Sequence, residues 1–155
     1  MNPFSVPLNL PEADVKLRPS RRGIEIYDPL RRRWLLLQPE EWVRQQFTAF
    51  LISHLGVPAS RMANEVTVRL NDTVKRCDTV VYDPQLRPLC IVEYKAPNVA
   101  LSAHTVEQIA RYNLVLGVGW LIISNGLRHA CFRVTPEGLV PMSALPSYAQ
   151  MTAEA

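Results

Sequence analysis

One short segment, residues 89–95, constrains the fold more than any other part of the sequence. It reads Leu-Cys-Ile-Val-Glu-Tyr-Lys, so apolar and β-prone side chains fill it except at Glu93 and Lys95. Such a run predicts a central strand of a sheet. Because side chains alternate along a strand, Glu93 and Lys95 should lie on one face, about 7 Å apart. Ions in such a segment cost several kcal/mol each unless they find partners, so we expect a polar site here.

The elements around this strand follow a clear order. Helices are predicted at 39–55 and 102–116, and strands at 65–70, 77–82, 89–95, 120–124 and 127–134. Residues 24–27 and 34–37 predict a small N-terminal β-hairpin. The order predicts an α/β fold with a mixed central sheet flanked by helices.

Local signals mark several boundaries of these elements. Pro39 suits a first helical turn, and Ser102 is a good N-cap. Asn125-Gly126 is the strongest short hairpin signal in the sequence, and Asn71-Asp72 indicates another turn.

The composition predicts one domain with extended ends. The 155 residues, 48% of them hydrophobic, can bury an ordinary core without disulfides. We expect an extended arm at 1–20, a single domain at 21–145 with its core at 39–134, and a tail at 146–155. Neither a membrane-spanning run nor a secretory signal is visible, which favours a cytoplasmic protein with no membrane partner. The three cysteines, Cys77, Cys90 and Cys131, are expected to be buried thiols.

Positive charge is clustered near the start of the chain, although the formal net charge is only +3. The cluster consists of Arg18, Arg21, Arg22, Arg31, Arg32 and Arg33. Two interpretations stay open, a local patch for polyanions and a solvated loop.

The strand before residues 89–95 supplies a third charge, Asp78. If Tyr82 faces Leu89 across the turn, the antiparallel register places Asp78 directly opposite Glu93. Facing carboxylates destabilise a hairpin, so a bound cation is the most economical explanation for them. Hard oxygen ligands suit Mg²⁺ or Mn²⁺. Lys95 on the same face could orient or deprotonate an attacking water, which is the layout of metal-assisted phosphodiester hydrolysis.

These residues resemble the Asp…(Asp/Glu)-x-Lys signature of the PD-(D/E)XK nuclease superfamily. Residues 39–134 are most similar to the N-terminal domain of type I restriction enzyme R proteins. The matching segments are Pro39-Glu-Glu-Trp-Val-Arg-Gln45, Arg76-Cys-Asp-Thr-Val-Val-Tyr82, Val92-Glu-Tyr-Lys-Ala-Pro97, Gln108-Ile-Ala-Arg-Tyr-Asn113 and Ile123-Ser-Asn-Gly126. The resemblance implies a restriction-endonuclease-like αβββαβ core, dependence on Mg²⁺ with Mn²⁺ as a substitute, and DNA as substrate.

The resemblance also implies roles for individual residues. Asp78 and Glu93 would hold the metal, and Lys95 would be the catalytic lysine. An acidic residue of the first helix would complete the metal site. Glu41 matches best, although it could instead only complement the helix dipole, and Glu40 is as plausible by position.

A further match is Gln108-x-x-x-Tyr112, whose two side chains lie on one helical face and could meet the strand site or the DNA. They could also simply cap the strand layer through hydrogen bonds. Two departures stand out. Cys77 replaces the proline of the motif, and no Gly-x-x-x-x-Gly-Lys-Ser/Thr loop occurs, which excludes an ATP-driven motor in this sequence.

Basic residues near the predicted site are candidate phosphate contacts, namely Arg44, Arg69, Lys75, Arg76 and Arg111. The predicted function is that of a metal-dependent deoxyribonuclease, and cutting both strands with one site per chain favours a homodimer. The alternative is a catalytically silent module with the same fold that binds nucleic acid or protein. No motif separates DNA from RNA as the substrate.

Overall fold

Two sheets and three α-helices make up the described part of the computed structural model, which comprises residues 7–70, 72–114 and 116–153. The small sheet contains β1 (Leu17–Ser20), β2 (Gly23–Asp28) and β3 (Arg33–Leu36), in that order. The large sheet contains, in spatial order, β4 (Met62–Leu70), β5 (Thr73–Tyr82), β6 (Pro88–Tyr94), β7 (Trp120–Ser124), β8 (His129–Thr135) and β9 (Gly138–Met142). The helices are α1 (Pro39–Ser53), α2 (Ala103–Leu114) and α3 (Tyr148–Ala153), and a short 3₁₀ turn covers Ala59–Arg61.

The large sheet is mixed because α2 carries the chain from β6 to β7. These two strands are parallel, whereas the other neighbouring pairs described in the sheet are antiparallel. A parallel pair cannot be joined by a tight turn and needs a crossover, which α2 supplies. The predicted α/β fold, with a mixed central sheet flanked by helices, is confirmed.

The two long helices pack on opposite faces of the large sheet. Phe47 of α1 lies in one apolar cluster with Val92 and Tyr94 of β6. Ala110 of α2 lies in a second cluster with Ile91. Because neighbouring side chains of β6 alternate between the two clusters, the strand is covered on both sides. The three cysteines are buried and unpaired, as predicted.

The local sequence signals mark the helix starts and the hairpin correctly. Helix α1 begins at Pro39, and the Ser102 hydroxyl accepts the Thr105 N–H at 3.2 Å at the start of α2. Gly126 has a φ of 86° in the predicted hairpin between β7 and β8. No helix within the described residues is long and apolar enough to cross a membrane.

The structure corrects the prediction at both ends of the chain. Strand β1 falls within the predicted arm and extends the expected hairpin to three strands. The extended tail is wrong for 148–153, because Tyr148 and Met151 of α3 are buried in the same apolar cluster as α1. Strand β9 is an element that the sequence analysis missed, and α2 ends at Leu114 rather than at 116.

Some predictions fall outside the described residues. They concern the first six residues of the arm, Asn71 of the predicted turn, position 115 of the predicted helix, and the last two residues of the tail.

A buried polar relay connects the small sheet with the large one. Asn64 of β4 donates from Nδ2 to the Asp28 carboxylate at 2.9 Å and accepts from the Thr79 hydroxyl at 2.6 Å. The Tyr94 hydroxyl donates to Thr79 Oγ1 at 2.9 Å. Each of these four side chains is at most 6% exposed, so the relay holds β5 and β6 in place relative to the small sheet.

Candidate active site

The candidate site begins where β5 and β6 stop pairing. The register runs from Thr79–Val92 to Val81–Cys90, as predicted. At the turn a register shift leaves Tyr82 opposite Pro88 rather than the predicted Leu89. The turn prediction is therefore wrong, but the shift lies at the loop end of the hairpin and leaves the register at the site unchanged.

Asp78 lies one residue beyond the last pair, in the fork between the two strands. Its Oδ2 accepts the Tyr94 N–H at 2.9 Å, so a side chain occupies a position that a strand carbonyl would otherwise fill. On the other side of β5, Glu65 of β4 has a φ of 56° and is skipped by the β4–β5 ladder. A non-glycine residue in the left-handed region is uncommon and often marks a functional site.

A cavity of about 400 Å³ opens at this fork, between the strands and α2. Besides the alternative helix carboxylate Glu40, seven of the predicted residues line it together: Lys75, Arg76, Asp78, Glu93, Lys95, Gln108 and Tyr112. Glu93 and Lys95 therefore share a face as predicted, whereas Tyr94 between them has its ring in the core cluster of α1. Asp78, Glu93 and Lys95 converge because side chains alternate along β6 and because of the register in which β5 pairs with β6.

Glu93 is the most strongly perturbed acid of the cavity. The residue is 7% exposed, and burial together with the nearby Asp78 carboxylate raises the pKa of Glu93 to about 7. The ammonium of Lys75 opposes this rise. A buried carboxyl whose pKa lies near neutrality, beside a second carboxylate, is typical of functional sites.

Lys75 supplies the positive charge that the carboxylate pair requires. Its Nζ donates to Glu93 Oε1 and lies 5.3 Å from the centre of the Tyr112 ring. From the sequence, Lys75 is predicted only as a candidate phosphate contact, and no sequence pattern indicates this ion pair. In a regular strand Lys75 and Asp78, three residues apart, would face opposite sides, yet both line the cavity, where the β4–β5 ladder skips Glu65 and β5 stops pairing with β6.

Helix α1 brings Glu40, and not Glu41, to the cavity. Glu41 is turned away, where its carboxylate accepts from Arg31 at 2.9 Å, from Arg44 at 3.1 Å and from Gln45 at 2.9 Å. Burial and the Asp78 carboxylate raise the pKa of Glu40, whereas the charge of Lys95 lowers it. The structure thus favours the alternative helix carboxylate, because a rotation of one residue along a helix changes the face by 100°.

The structure does not place all predicted phosphate contacts at the cavity. Arg44 is 5% exposed and donates to the Asp78 carbonyl at 2.6 Å and to Glu65 at 2.6 Å, so it is internal to the fold. Arg111 lies on another groove of α2 and pairs with Glu107. The structure therefore does not support Arg44 and Arg111 as phosphate contacts at this cavity. Closeness to the site residues in the sequence does not determine where a side chain points.

Two other predicted contacts remain accessible. Arg76 lines the cavity and is 70% exposed, although it pairs with Glu65 at 2.9 Å. Arg69 is exposed on β4.

Helix α2 contributes one residue that the sequence analysis missed. Asn113 lines the cavity next to Gln108 and Tyr112 and is 5% exposed. Its Nδ2 donates to the Ile109 carbonyl at 2.9 Å, but its buried Oδ1 has no hydrogen-bond partner within the described structure. Only its place beside Tyr112 in the matched segment could have drawn attention to it.

The donor set of the cavity fits a magnesium ion in part. Among the described residues, no three His, Cys, Asp or Glu side chains are arranged to hold a metal ion. Mg²⁺, however, keeps several waters and commonly binds through one or two carboxylates together with substrate phosphates. Asp78 and Glu93 supply two such carboxylates, and a divalent cation would relieve their mutual repulsion.

Comparisons with known proteins identify the family and support the fold. A family model described as the type I restriction enzyme R protein N terminus (HSDR_N) matches residues 39–146. The fragment structure of a protein described as an HsdR subunit of a type I restriction enzyme, from Vibrio vulnificus YJ016, aligns with a TM-score of 0.56 and 16% identity. The alignment covers 77% of this chain and 25% of that one, so this chain spans about a quarter of the length of that relative.

A second solved structure is similar to a lesser degree. It is a protein described as a nuclease of the DUF820 group from Anabaena variabilis ATCC 29413, with 13% identity and a TM-score of 0.38. The alignment covers 88% of this chain and 93% of that one. The search of curated proteins gives no match. At 16% identity, the likeness to the HsdR fragment structure bears on the fold alone.

Proposed function

Because the chain belongs to the type I restriction enzyme R protein N-terminal family, we propose that it is a Mg²⁺-dependent nuclease domain that hydrolyses DNA phosphodiester bonds. The observation that carries the proposal is the meeting of Asp78, Glu93 and Lys95 in one cavity at the strand fork. Two carboxylates and a lysine converging on one site are the groups that metal-assisted phosphodiester hydrolysis requires.

Each of these side chains has a distinct proposed role. Asp78 and Glu93 would hold Mg²⁺, with Mn²⁺ as a substitute, and Glu40 is the helix carboxylate placed to assist them. The bound ion would supply a positive charge that polarises a phosphate oxygen. Lys95 would orient the attacking water and balance the negative charge that develops on the phosphate. Its ammonium has no ion pair among the described residues, which leaves it available for this work.

Residues at the mouth of the cavity would position the substrate. Tyr112 is 59% exposed and Gln108 lies one helical turn before it, so both can reach a bound backbone. Arg76 would contact a phosphate next to the site that is cut. One site per chain cuts one strand at a time, so we propose that a homodimer makes double-strand breaks.

A plasmid nicking assay tests the proposal. Wild type with Mg²⁺ should convert supercoiled plasmid to the nicked form, whereas Asp78→Ala and Lys95→Ala should lose about 100-fold or more of the rate. Glu107→Gln is the matched control, because it removes a carboxylate of α2 that is 66% exposed and outside the cavity. Equal cleavage by all four proteins would contradict the assignment of the site.

A catalytically silent binding module is the second candidate, and one observation favours it. Lys75 already balances the charge of Glu93, so the buried acid does not by itself require a metal. Fluorescence anisotropy with labelled DNA and RNA duplexes of the same sequence separates the two candidates. Binding without cleavage by wild type, with Mg²⁺ or Mn²⁺, would favour the silent module.

A further inference from the structure

We propose that Lys75 is a displaceable internal cation, which holds the Glu93 carboxylate in the metal-free protein and moves to a substrate phosphate when a divalent ion binds. The inference rests on the proposed function, because it assigns a form of regulation to the same site. It adds a residue outside the Asp-Glu-Lys signature, on the strand that carries Asp78.

The contacts of Lys75 place it where it would compete with a metal ion. Its Nζ donates to Glu93 Oε1, and the two side chains are 12% and 10% exposed. The Arg76 carbonyl accepts from the same Nζ at 3.3 Å. A carboxylate oxygen in contact with an ammonium is not free to bind a divalent cation, and two cations at one buried oxygen repel each other strongly. Occupation of Glu93 by Lys75 and by a metal should therefore be mutually exclusive.

The other cations of the cavity do not share this position. Arg76 pairs with Glu65, and the charge of Lys95 acts on Glu40. Lys75 is thus the one basic side chain, among the described residues, that forms an ion pair with a proposed metal ligand. Removal of Arg76 deletes the same unit of charge from the next position of β5 without freeing Glu93, which makes it a matched control.

Tyr112 offers a second place for the displaced ammonium. Its ring already lies 5.3 Å from Nζ, and a tyrosine face attracts a cation. The ring is 59% exposed at the open side of the cavity, where a DNA backbone would pass. The flexible four-carbon stem of lysine allows the ammonium to turn from Glu93 toward this side without a change in the strand. A phosphate of the DNA would then replace Glu93 as the partner of the Lys75 ammonium.

The inference predicts opposite effects of Lys75 on the two ligands. In the absence of DNA, Lys75→Met should tighten binding of Mn²⁺ by about tenfold or more, because the competing ammonium is gone. Binding of DNA in the presence of Mn²⁺ should weaken in the same variant, because a phosphate contact is lost. A purely structural lysine would instead leave Mn²⁺ binding unchanged or weaken it.

Titration calorimetry with Mn²⁺ alone at pH 8 tests the first effect on wild type, Lys75→Met, Lys75→Arg and Arg76→Met. We expect a lower Kd for Lys75→Met only, since Lys75→Arg keeps the competing charge and Arg76→Met leaves Glu93 paired. Circular dichroism of each variant establishes that it is folded, and Lys75→Gln replaces Lys75→Met if the latter is not. An equal Kd for wild type and the uncharged Lys75 variant, or an equal gain in Arg76→Met, would overturn the inference.

DNA anisotropy tests the second effect in a Lys95→Met background, in which the proposed mechanism makes cleavage about 100-fold slower or more. Removal of Lys75 should weaken DNA binding more in Mn²⁺ than in EDTA, because without the metal Lys75 stays on Glu93 and makes no phosphate contact. Equal weakening in both conditions would overturn displacement. The failure of the proposed function looks different, because then neither wild type nor Lys75→Met would bind Mn²⁺, and both proposals would fall.

Discussion

Replacement of Glu93 by glutamine should change the stability of the protein by an amount that depends on pH. Burial and the Asp78 carboxylate raise the pKa of Glu93 from an ordinary value of 4.5 to about 7, although Lys75 opposes the change. The folded protein thus holds this proton more tightly than the unfolded chain does. The difference between the two pKa values is worth about 3 kcal/mol of unfolding free energy.

The sign of the effect follows from the raised pKa of an acid. Below about pH 4.5 the carboxyl is neutral in both states, and Glu93 carries no electrostatic penalty. Between pH 4.5 and 7 the unfolded chain releases the proton and the folded protein does not, so wild-type stability falls as the pH rises. Above pH 7 the full penalty of about 3 kcal/mol is present. Glutamine at position 93 does not ionise, so the variant avoids this loss.

Urea denaturation of wild type and Glu93→Gln, at pH 5 and at pH 8, measures the effect. The free energy of unfolding of the variant relative to wild type should increase by about 2–3 kcal/mol between the two pH values. Glu107→Gln, a change at an exposed carboxylate, should show no such increase. A difference between Glu93→Gln and wild type that is the same at both pH values would refute the electrostatic account of the site.

Three further predictions concern the fold around the site. Gly126→Ala should destabilise the protein by more than about 1 kcal/mol, because φ is 86° and an added Cβ would lie 2.7 Å from the side chain of Leu8. Gly56→Ala should cost less in thermal unfolding, because φ is 73° but an added Cβ would meet no atom within 4 Å. Arg44→Met should cost about 3 kcal/mol in urea denaturation, since it removes a buried cation that contacts Glu41, Glu65 and the Asp78 carbonyl, although each carboxylate keeps a second arginine. A loss no larger than that of the exposed Arg111→Met would contradict its internal role. The three buried cysteines should resist a thiol reagent in the native protein at pH 8, because burial raises the pKa of each thiol, and rapid labelling before unfolding would contradict this.

The sequence alone determined the order of the elements from β2 to β8 and the three charges at the centre of the proposed site. Alternation along a strand is a local property, so Glu93 and Lys95 share the cavity while Tyr94 is buried on the other face. The register from Thr79–Val92 to Val81–Cys90 follows from the two apolar runs and a short connection between them, although the pairing ends one residue before Asp78 and Glu93. Helix starts and the Gly126 hairpin likewise depend on residues close in sequence, and these are confirmed.

Tertiary structure decided which charges meet across elements. Whether Glu40 or Glu41 lines the cavity depends on the rotation of α1 against the sheet. Glu40 lines it, whereas Glu41 binds the buried Arg44 side chain. The ion pair of Lys75 with Glu93 forms beyond the end of the β5–β6 ladder, where no periodic pattern predicts which side chains meet. Periodicity describes one element at a time, whereas an ion pair between strands depends on how two backbones approach each other, and that distance is set only when the whole core packs.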